Sequence, residues 1–249
     1  MLDLDGCLYV GDEPVPGARS VLEQLAEAGF RTVFATNNST KTPQVVAERV
    51  EAILDYAIAP SSIVTSAMAA ATMLSPDQMP VMAIGEQGLG ATLEAAGFAI
   101  TIEPEEARAV VIGLDRGITY DRLRRATQAV LLGARFIATN EDATFPTGGV
   151  PEPGAGSIVA AVERATGQTP EYAGKPNEPM LRCVMALLGP GPTWAVGDRP
   201  ETDVAFGARS GWTTVLVMTG VTSDPDRAIP RPDHVLESVA SLPRLVFHT

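Results

Sequence analysis

Two aspartates stand one residue apart in MLDLDGCLYV, Asp3 and Asp5, with Gly6 directly after them. The runs FATNNST, with Thr36, Asn37 and Asn38, and WAVGDRPETD, with Asp198 and Asp203, repeat the theme of a short apolar stretch ending in polar residues. In an open parallel sheet, ligands bind beyond the C-terminal ends of the strands, so these clusters would meet at one edge. Several carboxylates gathered there repel one another unless a divalent cation is present. Mg²⁺ suits them, because it takes a few oxygens in near-octahedral geometry and shares the rest with water or phosphate.

A phosphate group accounts for the other parts. Its charge would be held by Mg²⁺, by the ammonium of Lys175 in AGKP, by the Thr36 hydroxyl and by free amides in the DGC and TNN turns, which brings in Gly6, Asn37 and Asn38. Gly6 lets the chain leave the strand at once and approach a ligand closely. Asp3 can then attack phosphorus and form an aspartyl-phosphate. Asp5 can protonate the leaving oxygen and later deprotonate the attacking water, which requires its pKa to lie above that of Asp3.

Composition narrows the alternatives. The 249 residues carry a formal charge of −12, spread along the chain, which argues against a nucleic-acid partner. With 45% hydrophobic residues and a mean hydropathy of +0.12, the chain reads as a globular enzyme with a sizeable core. No apolar stretch approaches the roughly 18 residues of a membrane span, and charged Asp3 and Asp5 leave no room for a signal peptide, so a cytoplasmic location is expected. Cys7 and Cys183 lack metal-binding spacing and read as small buried hydrophobes. The histidines, His234 and His248, lie near the C-terminus, so acid–base work falls to carboxylates. Of 18 basic residues only Lys41 and Lys175 are lysines, which sets Lys175 apart; Lys41 reads as solvated.

The elements that must position these groups alternate between buried strands and amphipathic helices, the pattern of a doubly wound, Rossmann-like α/β fold with a parallel sheet. LDL (2–4), RTVFAT (31–36) and SIVTS (62–66) read as strands, with helices following Gly17 and over about 43–53. A second series begins near 78: VMAIG, a helix over 87–96, AVVIG (109–113), a helix over 120–132, RFIAT (135–139), a Gly/Pro-rich loop and a helix near 156–166. The first theme then resumes with AGKP, a helix over 177–188, TWAVGD (193–198), a helix near 202–209, TTVLVMTG (213–220), DHVLES and a final helix. A core unit built from 1–77 and 169–249, with an α/β unit of 78–168 inserted into it, is expected.

The sequence resembles the haloacid dehalogenase-like (HAD) phosphatases, specifically the class with a large α/β cap found in NagD, p-nitrophenyl phosphatases and phosphoglycolate phosphatases. The D-x-D-G motif matches Asp3 to Gly6, the Ser/Thr motif matches Thr36, the lysine of G-K-P is Lys175, and G-D-x-x-x-x-D matches Gly197, Asp198 and Asp203. RFIATNEDATFP, PGAGSIVAAVERATG and GDRPETDVAFGARSG also resemble this class, so the likeness covers nearly the whole chain in order. It implies Asp3 as nucleophile and Asp5 as acid/base. It also implies Mg²⁺ held by the Asp3 side chain, the Asp5 carbonyl and Asp198, with Asp203 supporting from behind. The class carries residues ahead of LDLDG that this sequence does not have, which bears on the first strand and not on the chemistry. The inserted unit would be the large α/β cap of this class, closing over small phosphorylated metabolites. Relatives with this cap often pair through it, so a homodimer is expected by resemblance.

Within the cap, the polar, turn-rich TNEDATFP run is the candidate substrate loop, with Asp142 and Phe145 as its reading residues. Trp194, Trp212 and Cys7 read as core. Three rivals to a phosphomonoesterase remain: a phosphotransferase or mutase on the same nucleophile, a dehalogenase, and a non-catalytic phosphate sensor. A dehalogenase needs no metal and leaves Asp5, Asp198 and Asp203 without a purpose; a sensor leaves Asp3, Asp5 and Lys175 together unexplained.

Overall fold

The computed structural model describes residues 1–145 and 150–247. Pro146, the last residue of the expected substrate loop, and His248 lie outside the described residues. The first stretch gives β1 (Tyr9–Val10), β2 (Glu13–Pro14), α1 (Ala18–Glu27), β3 (Phe34–Thr36), α2 (Pro43–Leu54), β4 (Ile63–Thr65) and α3 (Ser66–Ala71). The middle gives β5 (Val81–Ile84), α4 (Gln87–Ala95), β6 (Ala109–Ile112), α5 (Tyr120–Leu131), β7 (Arg135–Ala138), β8 (Thr144–Phe145), β9 (Glu152–Pro153), α6 (Ala155–Thr166) and β10 (Glu171–Tyr172). The last stretch gives α7 (Glu178–Leu188), β11 (Trp194–Gly197), α8 (Ala205–Arg209), β12 (Thr213–Val217), β13 (His234–Leu236) and α9 (Leu242–Val246).

Two parallel sheets organise these elements. In the first, β3 pairs with β4, and β12 lies between β11 and β13. The chain start joins the two halves: Leu2 bridges Phe34 on one side and Val196 on the other. Leu2 N–H donates to Val33, Asp3 N–H to Val196, and Ala35 N–H to Leu2, all at 2.9–3.0 Å. The expected strand over 2–4 is thus a central strand, paired on both edges but ended by Asp3. The second sheet runs β10-β7-β6-β5. Its last strand, Glu171–Tyr172, lies beyond the boundary expected at 168, since two residues are too few to show a period.

Helices dress these sheets because their apolar residues recur on one face. In α1, Val21, Leu22 and Leu25 are buried. Pro43 opens α2 at a position where its missing N–H costs nothing, and Gly167 closes α6 in the left-handed region at φ 70°. Strands β3, β4 and β6 are buried throughout, as parallel strands covered on both faces must be. One apolar cluster joins both units: Ala35, Val64 and Ala195 of the first sheet share it with Val81, Val111 and Ile137 of the second. The expected helix near 202–209 starts differently. Residues Pro200–Val204 form a π-helical turn before α8, a widening that recurs at functional sites.

Candidate active site

The central strand ends at Asp3, β3 at Thr36 and β11 just before Asp198, with the first strand at the point where the sheet order reverses direction. That point is where open α/β sheets bind ligands. Lys175 arrives from the segment between β10 and α7 and is buried. Its Nζ donates to Asp3 Oδ1 at 2.6 Å, to Asp203 Oδ1 at 2.6 Å and to the Ala35 carbonyl at 2.7 Å. All three ammonium protons are placed. Asp203 is placed by the π turn: its Oδ2 accepts the Arg199 N–H at 3.1 Å, so both its oxygens are engaged by this chain.

Asp198 is buried, and its Oδ2 accepts the Val221 N–H at 2.6 Å. Its Oδ1 is buried without any hydrogen-bond partner. A buried carboxylate oxygen left unpaired carries a large desolvation cost, and an atom of this kind calls for a ligand. Carboxylate oxygens of Asp3, Asp198 and Asp203 lie within 4.8 Å of one another. Burial lifts Asp3 well above the usual carboxylate range, and burial followed by the nearby Asp203 pushes Asp198 up to about 7. For Lys175, burial works against the charge, but Asp203 and Asp3 outweigh it and hold the ammonium firmly protonated. These are the properties of an oxygen cage short of positive charge, and a hard divalent cation fits it.

Asp5 lines the same cavity as Asp3, Thr36 and Lys175. Burial raises its pKa too, partly offset by Arg49 and Lys175. Burial weighs heavily on both carboxyls, so the order expected from sequence, Asp5 above Asp3, rests on the cation that is part of that expectation, added to the charge of Lys175.

Gly6, Asn37 and Asn38, expected to offer backbone amides to a phosphate, also make bonds within the chain. The Gly6 N–H donates to the Tyr9 carbonyl at 2.8 Å and the Cys7 N–H to the Leu4 carbonyl at 3.2 Å, so these two amides are engaged within the turn. Gly6 is needed for its backbone, at φ +83°, and for its missing side chain: a Cβ would lie 2.5 Å from Asp198 Oδ2. The Asn38 N–H is donated to Thr36 Oγ1 at 3.0 Å, and Asn38 Oδ1 accepts from Thr40. Asn37 is a strut. Its Oδ1 accepts the Lys175 N–H at 2.8 Å, while its Nδ2 donates to the Lys175 carbonyl and to Asp142. The sequence reading assigns this turn its backbone amides; the partners of the Asn37 side chain, 138 and 105 positions away, leave no trace in the spacing.

Asp142 and Phe145 line the cavity from the second unit, as do Asn140 of the same TNEDATFP run and Leu114, which sequence reading missed. Arg199 was also missed. It sits inside the GDRPETD motif, lines the cavity and donates to the Thr144 carbonyl at 3.4 Å.

Residues 1–99 match the model for haloacid dehalogenase-like hydrolases, and residues 172–242 match the HAD-hydrolase-like model. A dihydroxyacetone phosphatase of Corynebacterium glutamicum is 37% identical over 97% of this chain and 89% of its own length. The chain belongs to the haloacid dehalogenase-like hydrolases. It is a HAD-type phosphatase of the capped NagD and p-nitrophenyl phosphatase class. Among solved structures, the p-nitrophenyl phosphatase of Archaeoglobus fulgidus superposes with a TM-score of 0.90 at 32% identity, covering 98% of this chain and 97% of that one. The glycerol phosphate phosphatase of Mycobacterium tuberculosis, crystallised with magnesium, gives 0.89 at 33% identity over 97% of this chain and 75% of that one.

Proposed function

We propose that this phosphatase is Mg²⁺-dependent, works through an aspartyl-phosphate on Asp3, and acts on phosphate esters of sugars, dihydroxyacetone among them, and of short polyols such as glycerol. The substrate class rests on the relatives, which include a dihydroxyacetone phosphatase, an acid sugar phosphatase and a glycerol phosphate phosphatase. The mechanism rests on one observation above the others: the Lys175 ammonium bridges Asp3 and Asp203 at 2.6 Å each, while Asp198 Oδ1 is buried and unpaired.

Asp3, the Asp5 carbonyl and Asp198 would hold Mg²⁺, with Asp203 fixing Lys175 beside them. Bound there, Mg²⁺ would neutralise phosphate charge and draw the group toward Asp3. Lys175 engages Asp3 Oδ1 and so orients the carboxylate for attack. As Asp3 forms its bond to phosphorus, the bond to the leaving oxygen breaks and Asp5 gives that oxygen a proton. Asp5, now a carboxylate, takes a proton from water; the hydroxide formed attacks phosphorus, freeing Asp3 and inorganic phosphate.

The test is release of inorganic phosphate from glycerol phosphate and p-nitrophenyl phosphate, with Mg²⁺ and no acceptor. Asp3→Asn is expected to lose turnover by on the order of a thousandfold or more, with thermal unfolding still cooperative. Near-normal turnover in Asp3→Asn would remove the nucleophile, equal turnover in EDTA would remove the metal, and phosphate release that required an acceptor would favour a phosphotransferase.

A further inference from the structure

Asp5 borders two cavities. The inner one holds Asp3 and Lys175; the outer one, about 360 Å³, shares with it Asp5, Thr36, Asn38 and Phe145. If Asp5 protonates the leaving oxygen, that oxygen sits where the two cavities meet. Phosphorus must lie on the Asp3 side, so the rest of the leaving group extends outward. The outer cavity is therefore the leaving-group chamber, an assignment that rests on the phosphatase mechanism above.

Its walls carry three cations, of which two are spent. Arg49 bonds the Gly11 carbonyl, pairs with Asp12 at 3.1 Å and lies over the Tyr9 ring. Arg116 pairs with Glu86 at 2.7 Å and Glu152 at 3.1 Å and lies over the Phe145 ring. Lys41 is the third, exposed, and has no ion pair among the described residues. Its backbone is nonetheless fixed. The Gly88 N–H of α4 donates to the Thr40 carbonyl at 3.0 Å, and a Cβ on Gly88 would come within 2.4 Å of the Lys41 nitrogen. Lys41 thus stands at a fixed point where the second unit presses on the first, its stem starting from the chamber wall and its ammonium uncommitted.

We infer that Lys41 is a specificity residue that binds an anionic group at the far end of the leaving group, so that esters carrying a distal phosphate or carboxylate are favoured over neutral ones. A distal anion would accept charge-assisted hydrogen bonds from the ammonium, stronger than those a hydroxyl can accept. Lysine supplies this as a point charge on a flexible stem and tolerates anions of different length and shape.

The experiment compares kcat/KM for matched esters: a hexose bisphosphate against the hexose monophosphate, and phosphoglycolate against glycerol phosphate, with p-nitrophenyl phosphate as the reference lacking a distal anion. In the unaltered protein the anionic member of at least one pair is expected to lead. Lys41→Gln is expected to lower that lead about tenfold, and Lys41→Arg to restore most of it. Added salt should shrink the lead in the unaltered protein and leave it flat in Lys41→Gln. A response in the bisphosphate pair alone identifies a distal phosphate as the ligand; a response in both pairs admits carboxylates too. The inference is overturned if the lead is the same with and without Lys41, or if Lys41→Gln slows all esters equally, p-nitrophenyl phosphate included. Should the unaltered protein turn over none of the esters, the phosphatase mechanism itself fails, and this assignment goes with it.

Discussion

At the scale of single residues, the site depends on atoms that are absent as much as on those present. Gly220 shows this: a Cβ there would lie 1.9 Å from Asp198 Oδ2, the oxygen that accepts the Val221 N–H. Gly220→Ala must push Asp198 out of place, and the Mg²⁺ concentration for half-maximal activity is expected to rise at least about tenfold, read from a metal titration. Asn37 makes a second case. Truncated to alanine, it releases the Lys175 peptide and Asp142 at once. Because small misplacements of catalytic groups are costly, Asn37→Ala is expected to lower kcat about ten- to a hundredfold at saturating substrate, and unchanged kcat would refute the strut. That Asp3, Asp5, Lys175, Asp198 and Asp203 come together was legible from residue type and spacing, because paired carboxylates, a rare lysine and a G-D motif are each uncommon and together coherent. Asn37 and Gly220 were not, since what they do is decided by atoms brought near only when the chain folds.

At the scale of elements, legibility followed length. Amphipathic helices announce themselves by period and buried strands by unbroken apolar runs, and β3, β6, β11 and β12 fall inside the runs from which they were expected. Two-residue strands carry no period, so the hairpins β1–β2 and β8–β9 and the strand β10 could not be read. The β8–β9 hairpin matters because Thr144 and Phe145 on its first strand line the cavity. Two short strands are marginal alone, and Arg116 ties this pair down through Glu152 on β9, the Phe145 ring on β8 and Glu86 before α4. Exposed ion pairs contribute little each, but three contacts from one planar guanidinium set the position of the hairpin. Arg116→Ala is therefore expected to raise KM for p-nitrophenyl phosphate several-fold, with a smaller change in kcat and a melting temperature within about two degrees. A fall in kcat alone would mean that the hairpin's place does not depend on Arg116.

At the scale of the whole molecule, the fold encloses a cluster of carboxylates that resists ionisation unless compensated, which links stability to both protons and cation. Asp198 titrates at about 7 in the folded chain against an ordinary 3.8, and burial raises Asp3 in the same direction. The folded state therefore holds more protons than the unfolded one between about pH 4 and pH 7, and stability drawn from these groups falls as pH rises through that window. Lys175, raised above its ordinary 10.5, contributes a constant amount throughout it. A bare melting curve against pH mixes these effects, but the increment produced by Mg²⁺ does not, because only the carboxylates compete between proton and cation. A ligand that binds the folded state alone stabilises it according to its affinity, and that affinity must grow as Asp198 and Asp3 lose their protons. The rise in melting temperature on adding saturating Mg²⁺ is expected to be several degrees larger at pH 8 than at pH 5.5. In Asp198→Asn both the rise and its pH dependence should shrink sharply. An increment independent of pH in the unaltered protein would mean that the cation binds elsewhere, and the buried carboxylates would then need a different partner to account for the unpaired Asp198 oxygen.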